Sequence, residues 1–400
     1  MEQQSGNKKR IVFDMLLNIT AAAIPVAVLQ LVVLPLLGRK MSDSSYGILV
    51  TILSLLNVVP ATLGNALNNI RLIEGEKDEK QGDYNALLLI LSALDLVVVA
   101  IFTFVYEDHV TALGLALTLI VSVLWLMREY FIVAFRIKIN FFFILVSNVI
   151  MVLGYCLGLA LFEVTGLWQF IYIFGNLLSL LFVFWKSDLW REPTKIGGEF
   201  GRISGQTALL ALSGLLNRIT TYADKMIVFP FIGAAMVSVY YTATLFGKIV
   251  SMVITPISGV MLSYLSKARK KDDDLFRLTL LCSTAVCVVG YFICIAISRP
   301  LLGLLYPQFV DEAMRYIWLT TGTTVLVALI SIVNPFVLRY FDMKWQIAIN
   351  AAYVAVYVGV SLALLGRYGL HGFCVGTLTA TFLKLVFLLL VYLRCRTKKD

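Results

Sequence analysis

Apolar stretches of about twenty residues follow one another along this chain, separated by short polar connections. A helix rising 1.5 Å per residue needs roughly 20 such residues to cross a hydrocarbon layer of ~30 Å. Twelve stretches meet that length: 12–37, 46–70, 84–106, 110–127, 139–162, 167–185, 205–232, 239–264, 276–297, 313–338, 345–365 and 370–392. The pattern predicts an all-α polytopic membrane protein with about twelve transmembrane helices.

The first two stretches recur, without a gap, 195 positions later. Pro35, Gly38, Met41, Tyr46 and Gly64 return as Pro230, Gly233, Met236, Tyr241 and Gly259, and five aliphatic positions match at the same offset. Ten identities over 54 positions is modest for apolar sequence, but the Pro and Gly among them sit where backbone geometry matters. The duplication predicts two six-helix lobes around a central cavity, 1–192 and 205–400, with 193–204 as a cytoplasmic linker. Pro193 and the pair Gly197-Gly198 lie in that linker. Two similar apolar halves with a path between them form the pattern of a carrier.

Composition agrees. The chain is 60% hydrophobic and 14% charged, far from the ~25% charged residues of soluble domains. Of its 33 Lys and Arg, 24 fall in one set of alternate connections together with both ends of the chain, and 5 in the other set. That asymmetry predicts two cytoplasmic termini and a place in the cytoplasmic membrane. The net charge of +9 is thus a topology signal and points to no nucleic acid. The six Trp fall at or just beyond span ends, where an amphipathic ring suits the interface. The first span is too long for a signal peptide and lacks a small-residue cleavage site. The segment Arg299–Glu312 predicts a short helix lying near the outer surface.

No P-loop, nucleophile elbow or metal-ligand spacing occurs, so neither an enzyme, a metal site nor a cofactor is expected. The candidate chemistry lies in charges within the spans, which are costly there. Span seven holds Arg218, Asp224 and Lys225. Arg218 and Lys225 are seven apart, on nearly one face, with Tyr222 one turn from Arg218. Such a stripe suits phosphate or carboxylate, since the guanidinium fork binds two oxygens. The alternative is that Arg218 is tied to another helix by a buried ion pair. Asp224 and Lys248 lie at similar depth on consecutive spans and would form an ion pair, with Lys225 as a competitor for the same acid. Asp95, near the middle of span three, is a coupling acid or a neutral core acid. Lys384 is close enough to a span end to reach the interface. At the repeat-matched positions Arg218 and Lys225 become Ala23 and Gln30, so charge is not duplicated. Asn57, Asn65, Asn68 and Asn69 put amides on the first-lobe side. A cavity cationic on one wall and amide-lined on the other suits a substrate with an anionic group and sugar hydroxyls. Pro25, Pro60 and Pro256 provide bends in spans one, two and eight.

Four stretches resemble the polysaccharide-flippase branch of the multidrug/oligosaccharidyl-lipid/polysaccharide exporter superfamily. They are Leu34 to Gly38 with Ser45-Tyr46-Gly47; Asn217 through Asp224 to Ile227 with Tyr240-Tyr241; Pro300 to Tyr306 with Ala313; and Tyr368 to Gly372. The resemblance implies that spans one, two, seven and eight surround the cavity. It also implies that the substrate is a lipid-linked oligosaccharide of the undecaprenyl-pyrophosphate type, moved to the outer leaflet for surface-polysaccharide biosynthesis. Arg218, Lys225 and Lys248 would meet its anionic part. Membrane lipids are implied as partners, with a polysaccharide polymerase or glycosyltransferases as further candidates. The second function in view is a cation-coupled exporter of small amphipathic drugs. Gln30 stands where that branch often has an acid, and the in-span charges are mainly basic, both of which count against it.

Overall fold

The computed structural model describes residues 17, 20–74, 81–107, 110–187, 189, 196–247, 249, 273–341 and 343–394. It is 91% helical with no strand among the described residues. This is the all-α polytopic architecture the hydropathy pattern predicts. Among the described residues nine helical stretches are long and apolar enough to span a membrane. One of them, Ile347–Leu393, has 47 residues and carries the two final predicted spans. Spans one and eight extend into residues outside the described set.

The chain divides into two compact units, Met1–Lys40 with Ile48–Met226 and Met41–Gly47 with Ile227–Asp400. The first unit starts with α1 (Thr20–Lys40), which widens to a π turn at Leu29–Val33 just before Pro35. A proline lacks the N–H that would close the next α-helical bond, and a local change of pitch absorbs the gap. Then come α2 (Asp43–Val58), which belongs here from Ile48 on, and α3 (Pro60–Glu74), one span broken at Val59 because Pro60 has no N–H to offer. The unit continues with α4 (Gln81–Tyr106), α5 (Ala112–Phe131), α6 (Val133–Ile137), α7 (Phe141–Thr165) and α8 (Gln169–Lys186). Most of α9 (Phe200–Ile232), up to Met226, also belongs here.

Within this unit α4 shows how such helices are sorted. Tyr84, Leu88, Leu91, Asp95, Val99, Thr103 and Tyr106 form its buried stripe, while Leu89, Leu94, Val97, Ile101 and Phe104 on the other faces are exposed. A helix with apolar side chains on its exposed face suits hydrocarbon rather than water. α7 and α8 pack backbone to backbone through Gly154 and Gly158, the small-x-x-x-small spacing that lets helices approach closely. A methyl group on Gly158 would lie 2.3 Å from Ile171 Cα. Gly166, with φ of 72°, caps the end of α7.

One stretch departs from expectation. Residues 128–138 read as a connection between spans four and five, yet α5 runs to Phe131 and α6 carries the helix on to Ile137. Phe131 to Phe135 are buried in the core with Tyr84, Leu126, Tyr130 and Val183. The charges at 128 and 129 end no helix because each finds a partner inside.

The second unit contains α10 (Ala234–Ala243), α11 (Asp273–Leu305), α12 (Val310–Ala313), α13 (Ile317–Tyr340) and α14 (Met343–Arg394). Gly369, with φ of 58° and ψ of −144°, interrupts α14 between the last two predicted spans. α11 continues through Pro300, so the expected short helix near Arg299–Glu312 is reduced to α12. The core of this unit centres on Phe276, Phe336, Phe341 and Tyr392, the rings of Phe276 and Tyr392 stacked at 3.7 Å. Pro256 lies outside the described residues.

Gly158→Leu is expected to destabilise the detergent-purified protein by about 1–3 kcal/mol, the usual cost of overpacking. Gly359→Ala, where a methyl group would meet nothing within 4 Å, should leave the thermal unfolding temperature unchanged or slightly raised.

Candidate functional site

The broken span α2–α3 sets the first feature. Val59 N–H bonds to Leu55 O, and Leu63 N–H bonds to Val59 O on the far side of Pro60. The carbonyl of Asn57, on the turn between, accepts from Arg218 Nη1 at 2.8 Å. Asn57 Nδ2 meanwhile donates to Leu53 O at 2.8 Å, which holds the side chain on its own helix. α9 comes this close because Gly214 lies one turn before Arg218, and a methyl group there would sit 2.7 Å from Thr62 Cγ2. Among the described residues, the hydrogen-bond partner of Arg218 is therefore a backbone carbonyl and not a carboxylate. One Nη holds the helix break, and the guanidinium has further donors on its fork.

Farther along α9, Lys225 Nζ lies 2.6 and 2.7 Å from the two carboxylate oxygens of Asp224. The Lys225 N–H also donates to Asp224 Oδ1 at 2.9 Å. Lys225 is buried, so its charge is matched where it sits. The competitor for Asp224 foreseen in the sequence holds the acid here, and Lys248 lies outside the described residues. Tyr222, half-buried, is placed one turn from Arg218 on the same helix. The stripe thus has one cation in an ion pair and one on a carbonyl.

A second polar centre was hidden by reading 128–138 as a connection. Arg128 Nη1 pairs with Glu129 Oε1 at 2.8 Å, and Glu129 Oε2 accepts from Asn65 Nδ2 at 3.2 Å. Arg128 also donates to Asn148 Oδ1 and, more weakly at 3.4 Å, to Ser179 Oγ. Asn148 Nδ2 returns to Ala21 O at 2.7 Å on α1. Asn68 bridges by donating to Glu129 O at 2.7 Å and accepting from Arg136, which also reaches Asn69 Oδ1 at 3.0 Å. Several helices are stitched by these contacts. The available signal was the spacing of Asn65, Asn68 and Asn69, one face of a helix, with Leu126, Tyr130 and Val133 continuing an apolar helical stripe through the supposed connection.

Asp95 stands apart from both. It is fully buried, its Oδ2 accepts from Ser122 Oγ at 2.5 Å, and its Oδ1 has no partner among the described residues.

In the second unit, Tyr46 is buried among Tyr241, Tyr306 and Phe309, with Tyr46 Oη donating to Tyr306 Oη at 3.2 Å. Burial pushes the Tyr306 phenol well above its ordinary pKa. Ser238 Oγ donates to Asp43 O at 2.6 Å. Both Asp43 with Ser238 and Tyr46 with Tyr241 are pairs at the repeat offset of 195, so duplicated positions meet their own counterparts. Gly47 is required at this crossing because a methyl group would lie 1.8 Å from Ala234 O. Elsewhere in this unit, Lys384 Nζ lies 4.4 Å over the ring of Tyr353.

The fold is shared with known membrane transporters. A lipid II flippase, MurJ, in an inward closed conformation aligns over 96% of this chain and 86% of its own, with TM-score 0.69 and 14% identity. An inward-facing multidrug resistance transporter of the MATE family, MOP superfamily, aligns over 93% and 97%, with TM-score 0.65 and 12% identity. A eukaryotic MATE transporter, AtDTX14, aligns over 96% of each chain, with TM-score 0.56 and 12% identity. No protein-family model and no curated protein sequence matches the chain.

Arg128→Met is expected to destabilise the protein by about 1–3 kcal/mol, since it leaves the part-buried Glu129 without its cation. Arg128→Met combined with Glu129→Leu should cost clearly less than the sum of the two single changes. A double-mutant cycle by chemical denaturation in detergent checks this.

Proposed function

We propose that this protein flips a lipid-linked oligosaccharide across the cytoplasmic membrane by alternating access. The observation that carries the reading is the contact of Arg218 with the Asn57 carbonyl at the Pro60 break. A cation held by a neutral carbonyl keeps its charge for an anion, whereas one held by a carboxylate does not. An oligosaccharide joined to its lipid by phosphate supplies that anion. Tyr222 and Asn57 flank the cation with a ring and an amide suited to sugar hydroxyls. Lys225 is held in reserve by Asp224, and Lys248 is the further basic residue in this scheme. The likeness of fold to a lipid II flippase supports a lipid-linked substrate. The basic-residue asymmetry supports cytoplasmic termini, and the repeat supports lobes 1–192 and 205–400 joined by 193–204. A polysaccharide polymerase or glycosyltransferase is the natural neighbour for such a product. The protein is a carrier in this reading, and the bond-making belongs to those neighbours.

Export of small amphipathic drugs is the second reading, favoured by the likeness of fold to multidrug transporters. Against it, a drug that is an organic cation would meet Arg218 as a like charge.

The test is the sidedness of lipid-linked oligosaccharide in cells that lack the protein. Accumulation in the inner leaflet is expected, reversed by the wild type. A stably expressed Arg218→Ala should flip about 10–100-fold more slowly, the loss of one charge-assisted hydrogen-bond site worth ~1.5–3 kcal/mol. Arg218→Lys should recover part of the rate, as it keeps charge but loses the fork. Unchanged sidedness without the protein, in a strain with no other flippase, would overturn the reading. Full rescue by Arg218→Ala would remove Arg218 from the site.

A further inference from the structure

We infer that Asp95 is a reversible proton-binding site of the first unit. Asp95 lies eleven residues from both Tyr84 and Tyr106 on the 26-residue helix α4, which places it about 16 Å from either residue and near the middle of the span. It occupies the buried stripe between Leu91 and Val99, one turn away on either side, and is fully buried. An ionised carboxylate there would need cations or several donors, because burial of an unpaired charge is costly even after relaxation. Among the described residues Asp95 has one hydroxyl, Ser122 Oγ, and an Oδ1 without a partner.

The charged and titratable groups on the elements packed against it are engaged elsewhere. On α5, Arg128 and Glu129 pair with each other, and Tyr130 stacks on Tyr84. On α3, Arg71 lies over the ring of Tyr84. On α4 itself, Asp83 accepts the N–H of Gly197 and Tyr106 donates to Met226 O. On α9, Asp224 and Lys225 pair, and Arg218 holds Asn57. A sodium ion would require about five or six oxygen ligands by analogy with other hard cations, and the carboxylate with one hydroxyl falls short. A proton requires one oxygen.

Asp95 is therefore the neutral acid in this conformation. The choice of partner fits a group that changes state. A serine hydroxyl donates to a carboxylate and accepts from a carboxylic acid, so it serves both forms. The orphan Oδ1 is where water would bond once the proton leaves. The step is the loss of H⁺ from the –COOH of Asp95 to a water molecule and its return, with no other bond changed. If the protein is a carrier, this gives it a means to draw on a proton gradient. The site itself does not depend on that reading.

Infrared difference spectroscopy on the full-length protein in liposomes tests it without any substrate. The carbonyl stretch of a protonated carboxyl should bleach as pH is raised. In Asp95→Asn, which preserves shape and the bond to Ser122, that band should be lost while the thermal unfolding temperature is kept. Ser122→Ala, which guards against misfolding of the first variant, should retain the band at a shifted frequency. A pH-dependent spectrum of Asp95→Asn identical to that of the wild type would overturn the proposal, as would a Ser122→Ala band unmoved in frequency. Either result leaves the sidedness test of flipping unaffected, and failure of that test leaves this one standing.

Discussion

Inside hydrocarbon there is no water to complete a hydrogen bond, and every backbone group released by a proline must be satisfied by protein. The broken span at Pro60 bears the consequence. There Pro60 has no N–H for the carbonyl of Leu56, and the next carbonyl, that of Asn57, accepts from Arg218. The residue that reaches the break is, in the proposed function, also the residue whose charge meets the substrate. Gly214 on α9 and the restart of α3 at Pro60 both serve that contact. At Pro35 the helix answers with a wider turn at Leu29–Val33. The two prolines are thus met differently, by a change of pitch at Pro35 and by a cation beside Pro60.

The polar groups of the first unit are organised by the same constraint. Exposed faces are apolar, so anything polar turns inward, and inward it must be matched. Arg128, Glu129 and the asparagines meet this with a closed network spread over several helices. Lys225 and Asp224 meet it within one peptide step. Asp95 meets it by a single hydroxyl. The three differ in what remains unspent: the network is satisfied, the pair is neutral, and the lone acid still has an oxygen to offer.

The order of helices was legible in hydropathy alone, since a span needs only length and apolarity. The failure at 128–138 has a physical reason. Charge marks a connection only when nothing inside can pair with it, and a linear reading does not see Asn65 and Asn148 approach from other helices. For Asp224 the sequence offered two cations, and depth along consecutive spans could not weigh a neighbour one residue away. The duplication was visible as Pro, Gly and Tyr at a fixed offset. That some duplicated positions would touch was not, because an offset carries no distance. Gly154 and Gly158 escaped notice among many glycines, for a packing role depends on the backbone opposite.

The contact of Tyr46 with Tyr241 has a bearing on how such a chain can change. In an ancestor made of two identical copies, one side chain at that point would have to fit against itself. Tyrosine does so here edge to ring, at 6.0 Å, with the two planes nearly perpendicular. A substitution in only one copy disturbs the ring contact of both, so the two positions constrain each other. Asp43 and Ser238 are free of that bond, because the serine hydroxyl takes only the main-chain oxygen of its counterpart and ignores its side chain. Those two positions carry different residues, and the tyrosines are alike.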